Sequence, residues 1–226
     1  MSVDLSQWTA RAAPSPIVLE GAYARLEPLD PTIHGDGLFA ALMGAGAEAQ
    51  YRFLFEAPMD RATFQAWLEQ KAARPDILCH VVVDRATGVI GGRQDYMRID
   101  TAHGVLEIGS IHWGAPIARS RVATESLYLH AEHALGTLGY RRYEWKCNHL
   151  NAPSRRAAAR FGFTFEGVFR QHMVAKGRNR DTAWFSIIDA EWPELKLGYQ
   201  TWLSPENFDD KGQQRRSLSE CLRPSL

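Results

Sequence analysis

Apolar positions along this chain switch between a two-residue and a helical period, and the switches mark out the elements. Val18 to Leu26 predicts a strand pair or one bent strand, with Gly21 as its punctuation and Pro28 to Pro31 as its close. Leu38, Phe39, Leu42 and Met43 recur at helical spacing, and Gly44 and Gly46 end that helix. A second helix is predicted from Asp60, its N-cap, through Phe64, Trp67 and Leu68 to Ala73. Between the two helices, Tyr51 to Phe55 is an aromatic loop that fits local core packing, or else one wall of a substrate pocket. Ile77 to Asp84 and Val89 to about Ile99 then form an antiparallel hairpin over the turn Arg85 to Gly88.

The strand Val105 to Trp113 breaks the pattern. Leu106 and Ile108 are apolar at even positions, Ile111 and Trp113 at odd ones, so the buried phase flips at Gly109-Ser110. A β-bulge there accounts for the flip, as would a central strand buried on both faces. Leu127, Ala131, Ala134, Leu135 and Leu138 make one face of a helix ending at Gly139, and Tyr143, Trp145 and Cys147 alternate along a following strand. Strand, turn, helix and strand in this order predict a βαβ crossover with parallel strands at its two ends. Asn151 caps the next helix, with Pro153 in its first turn and Gly162 past its end. Residues 163–174 and 181–189 form a final hairpin around Lys176 to Asn179. The pattern predicts an α+β fold with a mixed, mostly antiparallel sheet, a central parallel βαβ crossover and helices on both faces. Residues 1–16 read as an arm, 17–192 as the domain, and 193–226 as a polar tail that packs as a short helix or stays disordered.

Composition narrows function more than fold. With 226 residues, 45% of them hydrophobic, the chain can fill one substantial core. Lys+Arg and Asp+Glu are both 26, so no net field draws in nucleic acid or an anionic membrane surface, and neither partner is expected. No apolar run is long enough to span a bilayer and no leader pattern opens the sequence, which predicts a cytoplasmic protein. Cys79, Cys147 and Cys221 are far apart, without the spacing of a disulfide framework or a metal site, so no metal is expected.

The chemistry concentrates at Ala115 to Ser126, a turn between strand and helix that carries Arg119 and Arg121. Amide N–H groups at a helix start have no partner within the helix and, with the helix dipole, attract anions. The stretch therefore reads as a cradle for a phosphate-bearing cofactor.

From about Glu107 to Trp192 the sequence resembles the GCN5-related N-acetyltransferase superfamily, and within it the RimJ/RimL-like branch. The superfamily's cofactor loop, (Gln/Arg)-x-x-Gly-x-(Gly/Ala) followed in this branch by Thr-Glu, aligns with Ala118-Arg-Ser-Arg-Val-Ala123 and Thr124-Glu125. The family's Asn-x-x-(Ala/Ser) helix start, ending in Gly-Phe, matches Asn151, Ser154, Gly162 and Phe163. Glu166 to Arg170, Asp181 and Glu191-Trp-Pro193 are also similar to the branch. The resemblance implies acetyl-CoA as co-substrate, held by Ile111 and Trp113 on the strand, by Arg119, Ser120, Arg121, Val122, Ala123 and Thr124 in the loop, and by Asn151 and Ser154. It further implies direct attack by a primary amine, from a small molecule or a protein N-terminus. Glu107 is the candidate base, with an ordinary strand glutamate as the plainer reading, and Ser154 is the candidate proton donor to the leaving thiolate. Backbone N–H groups near Ser110 to Trp113 would receive the oxyanion.

The sequence departs from the family pattern in the loop and in the helix. Ala118 replaces Gln or Arg, and Arg121 replaces a glycine that lets the backbone approach the pyrophosphate, so Arg121 either grips the phosphates or blocks them. Many relatives have a tyrosine seven residues after the asparagine, where Ala158 stands here. These departures keep a second function open, a non-catalytic acyl-CoA sensor, and a third, an interaction protein without the ligand. His112 and His172 are secondary pocket candidates, Glu56, Asp60 and Glu166 are acids that could draw a cationic amine, and a homodimer could form through the hairpin or the tail.

Overall fold

A computed structural model describes residues 4–223. Its sheet has eight strands in the order β1-β2-β3-β4-β5-β6-β8-β7, numbered along the chain: β1 (Leu19–Glu20), β2 (Ala24–Pro28), β3 (Ile77–Asp84), β4 (Ile90–Asp100), β5 (Val105–Trp113), β6 (Arg142–Asn148), β7 (Thr164–Ala175) and β8 (Arg178–Ile188). Every neighbouring pair is antiparallel except β5 and β6, which are parallel across the crossover helix α4 (Arg121–Ala131). The α+β architecture read from the sequence is the one observed. A π-helical stretch, Glu132–Thr137, continues α4 up to Gly139, which turns the chain at φ 69°.

Alternation along β3 shows how both faces are covered. Val81 and Val83 pack with Leu38, Leu42, Phe64 and Leu68 from α1 (Pro31–Leu42) and α3 (Arg61–Ala72), whereas Val82 points the other way, toward Ala24, Leu26, Ile117 and Val122. The main core lies on that second face. There Leu106, Ile108, Tyr143 and Trp145 meet α4, the C-terminal end of α5 (Ala152–Arg160) and α6 (Trp192–Leu203). The capping residues are those the sequence nominated: Asp60 accepts from the Thr63 N–H at 2.8 Å, and Asn151 accepts from the Ser154 N–H at 3.1 Å.

The chain ends differ from the arm-and-tail picture. Residues 4–16 form no strand or helix, yet Trp8 donates to the Ala102 carbonyl at 2.8 Å and Arg11 to the Gly139 carbonyl at 2.9 Å, which holds this segment against the domain. The expected boundary at 193 falls inside α6, whose Trp192, Tyr199, Trp202 and Leu203 are buried in the main core. Pro193 sits in the first turn of α6, where its missing N–H costs nothing. A further helix, α7 (Leu218–Cys221), packs back on α6.

Candidate active site

Pairing between β5 and β6 ends at Ile108 with Trp145, although β6 continues along β8 as far as Asn148. Beyond that point the two strands diverge and their facing edges have no ladder partner. A cavity of about 1040 Å³ occupies the split. Its lining includes Ile108 and Trp145 from one face of the sheet and Glu107 and Lys146 from the other, so it passes through the sheet instead of lying on it.

The split depends on a bulge in β5. Against β4, Arg93 pairs with His112 and Asp95 with Gly109, so Ser110 and Ile111 together oppose Gln94. The bulge is thus one residue further on than Gly109-Ser110, and Ser110 takes the strained backbone at φ 49°. Fully buried Arg93 secures it by donating to the Ser110 carbonyl at 2.9 Å.

At one mouth of the cavity lies the turn into α4. Ser120 caps the helix, accepting from the Ala123 N–H at 3.3 Å and donating to the Ile117 carbonyl at 2.6 Å. Arg119 adopts φ 62°. Among the described residues, the N–H groups of Arg119, Arg121 and Val122 donate to no protein acceptor, which leaves three free donors at a helix start, the kind of place that suits an anion. Arg119, Ser120, Arg121, Ala123 and Thr124 line the cavity. Val122 does not: its side chain belongs to the apolar cluster with Val82 and Ile117, so only its amide can serve a ligand.

Arg121 lines the cavity with its side chain held by two aromatic rings. Its guanidinium stacks over the rings of Tyr23, at 4.7 Å, and Phe208, at 4.5 Å. The Tyr23 side is fixed by Glu125, whose buried carboxylate accepts from the N–H groups of Ala22, Tyr23 and Ala24 at 2.8, 2.5 and 2.6 Å. A side chain at Gly21 would collide with that carboxylate, which accounts for the glycine. Phe208 lies in the C-terminal segment, which adds Trp202, Phe208 and Gly212 to Gln214 to the cavity wall.

Midway along the cavity, Ile111, Trp113, Asn151 and Ser154 are brought together as the sequence proposed. Trp113 is held by its indole N–H on Gln94 Oε1 at 3.2 Å and edge-on against Phe161. The Trp145 indole donates to Ser154 Oγ at 3.0 Å, and because that bond uses an oxygen lone pair, the hydroxyl proton is left to donate elsewhere. Ala158 is buried in the core, and no tyrosine is among the residues lining the cavity.

Glu107 stands at the far end. Its Oε2 takes ion pairs from Arg98 Nη1 at 2.5 Å and Lys146 Nζ at 3.0 Å, and Lys146 also reaches Glu144 at 2.6 Å. Phe53, Leu54, Phe55 and Glu56 close this end, so the aromatic loop supplies pocket wall, while Tyr51, in the short helix α2 (Ala47–Tyr51), is buried edge-on against His112. His112 is bonded to Gln50 Oε1 at 2.8 Å, and burial, with Arg93 nearby, pushes its pKa down to about 3, so it stays neutral near neutrality. His172 pairs with Thr182 outside the cavity lining. Glu166 is held bidentately by Arg142, and Asp60 is occupied as a helix cap.

Sequence reasoning missed Arg98, Lys146, Arg160 and Arg180, all of which line the cavity. For Lys146 a signal existed. Glu107 pairs with Glu144 in the parallel register, so the alternation of β6 places Lys146 on the Glu107 face. Arg160, stacked over Phe161 and Trp202 near Thr124, had none.

Among the described residues, no group of three or more His, Cys, Asp or Glu is placed to hold a metal ion, and no helix is long and apolar enough to cross a membrane. The chain is similar to a GCN5-related N-acetyltransferase from Brucella melitensis, with 55% identity, TM-score 0.95, and coverage of 96% of this chain and 99% of that one. A structure described as a probable GNAT-family acetyltransferase from Chromobacterium violaceum follows at 38% identity and TM-score 0.79, covering 85% and 96%. Among curated proteins, an uncharacterized N-acetyltransferase, p20, from Bacillus licheniformis is 28% identical over 115 residues, 49% of this chain and 62% of that protein, so the match spans less than two thirds of that relative. The family model for the acetyltransferase (GNAT) domain matches residues 25–164, which contain the bulged strand, the α4 turn and the capped helix at Asn151, and the chain belongs to that family.

Proposed function

We propose that this protein transfers the acetyl group of acetyl-CoA to a primary amine by direct attack in a ternary complex. The observation that carries the reading is one continuous cavity with an anion cradle at one mouth and a cavity-facing carboxylate at the other, joined through the split between β5 and β6. The cradle suits a pyrophosphate. Three unpartnered amides lie at this turn, with Arg119 and Arg160 lining the same cavity and the Arg121 guanidinium stacked on its two rings.

Acetyl-CoA, when bound, supplies the acyl thioester. Glu107 accepts the proton that an alkylammonium must lose before its nitrogen can attack, directly or through water, while Arg98 and Lys146 fix the orientation of the carboxylate. Backbone N–H groups released by the Ser110 bulge stabilise the negative charge that grows on the carbonyl oxygen. Ser154, its oxygen held by Trp145, gives its proton to the departing sulfur. Asn151 holds the turn of α5 against the ligand's arm. The acetyl group thus moves from sulfur to nitrogen: one ammonium proton leaves through Glu107 before attack, and the second, shed by the nitrogen as the tetrahedral intermediate collapses, restores the Ser154 hydroxyl.

Calorimetric titration with acetyl-CoA tests the cradle, and free-thiol release over a panel of amines tests the transfer. Tight binding with amine-dependent thiol release supports the proposal. Binding without thiol release for any amine would make the protein a sensor, and absence of binding would remove the cofactor reading.

A further inference from the structure

The charges at the acceptor end do not balance. Arg98, Glu107, Lys146, Glu144, Arg142 and Glu166 form a connected chain of ion pairs, with as many cations as anions. Arg93, fully buried outside the cavity lining, has the Ser110 carbonyl, Glu56 at 3.8 Å and the Trp67 ring at 4.7 Å. Arg180 stands apart. It lines the cavity with only 8% of its surface exposed, and its Nε has no hydrogen-bond partner. Among the described residues, no carboxylate lies within ion-pair distance of it. Its guanidinium rests over the Phe55 ring at 4.8 Å, against the aromatic loop that closes this end.

Burying an uncompensated charge is expensive, and a folded chain seldom does so without a partner to come. The Phe55 face offsets part of that cost and orients the fork, but it leaves the in-plane donors free. A carboxylate or phosphate is the group that matches a guanidinium fork.

We infer that Arg180 is an acceptor-recognition residue, and that the acceptor is a primary amine whose own skeleton carries an anionic group, a carboxylate or a phosphate. The inference rests on the proposed acyl transfer. In it, Glu107 meets the ammonium end of the acceptor and Arg180 the anionic end. An α-amino acid or an amino-phosphate satisfies both, whereas a neutral alkylamine gives the Arg180 fork no anionic partner within ion-pair reach.

The test uses the full chain and matched pairs of acceptors: α-amino acids against their amides, and phosphoethanolamine against ethanolamine. Thiol release should favour the anionic member of a pair by about 100-fold in kcat/KM, as expected for a buried charge-assisted contact. The carboxylate and phosphate pairs show which anion is preferred. R180Q should bring the ratio within each pair close to one while acetyl-CoA affinity is retained, and R180K, which keeps the charge without the fork, should fall between and serves if R180Q fails to fold. A second arm does not need turnover. Calorimetry on the CoA-loaded protein should show N-acetyl amino acids binding well above their amides, and R180Q should erase the difference. Equal turnover and equal binding of neutral and anionic members would overturn the inference, as would a wild-type preference in R180Q. Anion-selective binding with no thiol release from any acceptor would leave the Arg180 site standing and remove the transferase reading. Thiol release with neutral amines alone would do the reverse.

Discussion

Replacing Glu107 with Gln removes one negative charge and little volume, so the outcome separates chemistry from packing. Glu107 and Lys146 are both almost fully buried, and stripping one partner from a buried ion pair costs about 3–5 kcal/mol when the other is stranded. Here neither cation is stranded. Lys146 keeps Glu144 at 2.6 Å and the Trp184 ring at 3.9 Å, while Arg98 is 44% exposed and can turn to water. The stability loss should therefore stay near about 1–2 kcal/mol, below the stranded-charge range. The loss in turnover should be larger, roughly 100- to 10,000-fold, the range for a positioned general base. Glu144→Gln is the control. It takes the same kind of charge from the same lysine, but Glu144 does not line the cavity, so it should match the stability loss and keep most of the turnover. The assays are kcat by thiol release, acetyl-CoA affinity by calorimetry, and unfolding in denaturant. If E107Q turns over within about threefold of the wild type, or if E144Q loses as much rate as E107Q, the general-base assignment of Glu107 is wrong.

Other parts of the molecule give further tests. Arg121→Ala removes two ring contacts, worth about 1–2 kcal/mol together, and should raise hydrogen exchange over residues 205–216 while weakening acetyl-CoA binding, because that segment walls the cavity; unchanged protection there would contradict the clamp. Stability should also depend on pH. Burial pushes His80 down to about 4, His112 to about 3, and His130 well below its ordinary value, so the unfolded chain binds protons below pH 6.5 that the folded chain does not. The stabilisation from their neutral forms is fully present above about pH 6.5 and is lost as pH falls toward 4 and 3, by about 1.4 kcal/mol per pH unit for each such histidine. Unfolding free energies that stay flat between pH 7.5 and roughly pH 5 would contradict this.

The sequence revealed features written in short-range periodicity. The phase change between Ile108 and Ile111 located the bulge to within a residue, and the spacing from Asn151 to Gly162 set out α5 with its cap. It missed the exact seat of the bulge because Ser110, and not the neighbouring glycine, takes the positive φ. Contacts between distant residues left no local trace. The Arg121 clamp joins residue 23 to residue 208, and Glu125 reaches amides 101 to 103 positions earlier, so the apparent defect in the cofactor loop could not be resolved from the loop alone. Arg180 did leave a local trace. The extra residues at both register shifts between β7 and β8 lie on β7, so β8 alternates unbroken from Trp184 through Thr182 to Arg180, on the face that Lys146, paired with Trp184, shares with Glu107. The C-terminal wall did leave a signal: Trp192, Tyr199, Trp202 and Leu203 fall on one helical face, and Trp-Pro opens a helix as readily as it closes a strand.

The central claim is that the cradle at α4 and the carboxylate at Glu107 serve one reaction through one cavity. Its most direct test is free-thiol release by the full chain from acetyl-CoA, followed with and without an amino acid acceptor, with the acetylated amine identified by mass spectrometry. Thiol should appear in step with N-acetylated product and stop when the acceptor is left out. If acetyl-CoA binds and no amine, anionic or neutral, gives any product, the cavity does not carry out acetyl transfer and the account fails.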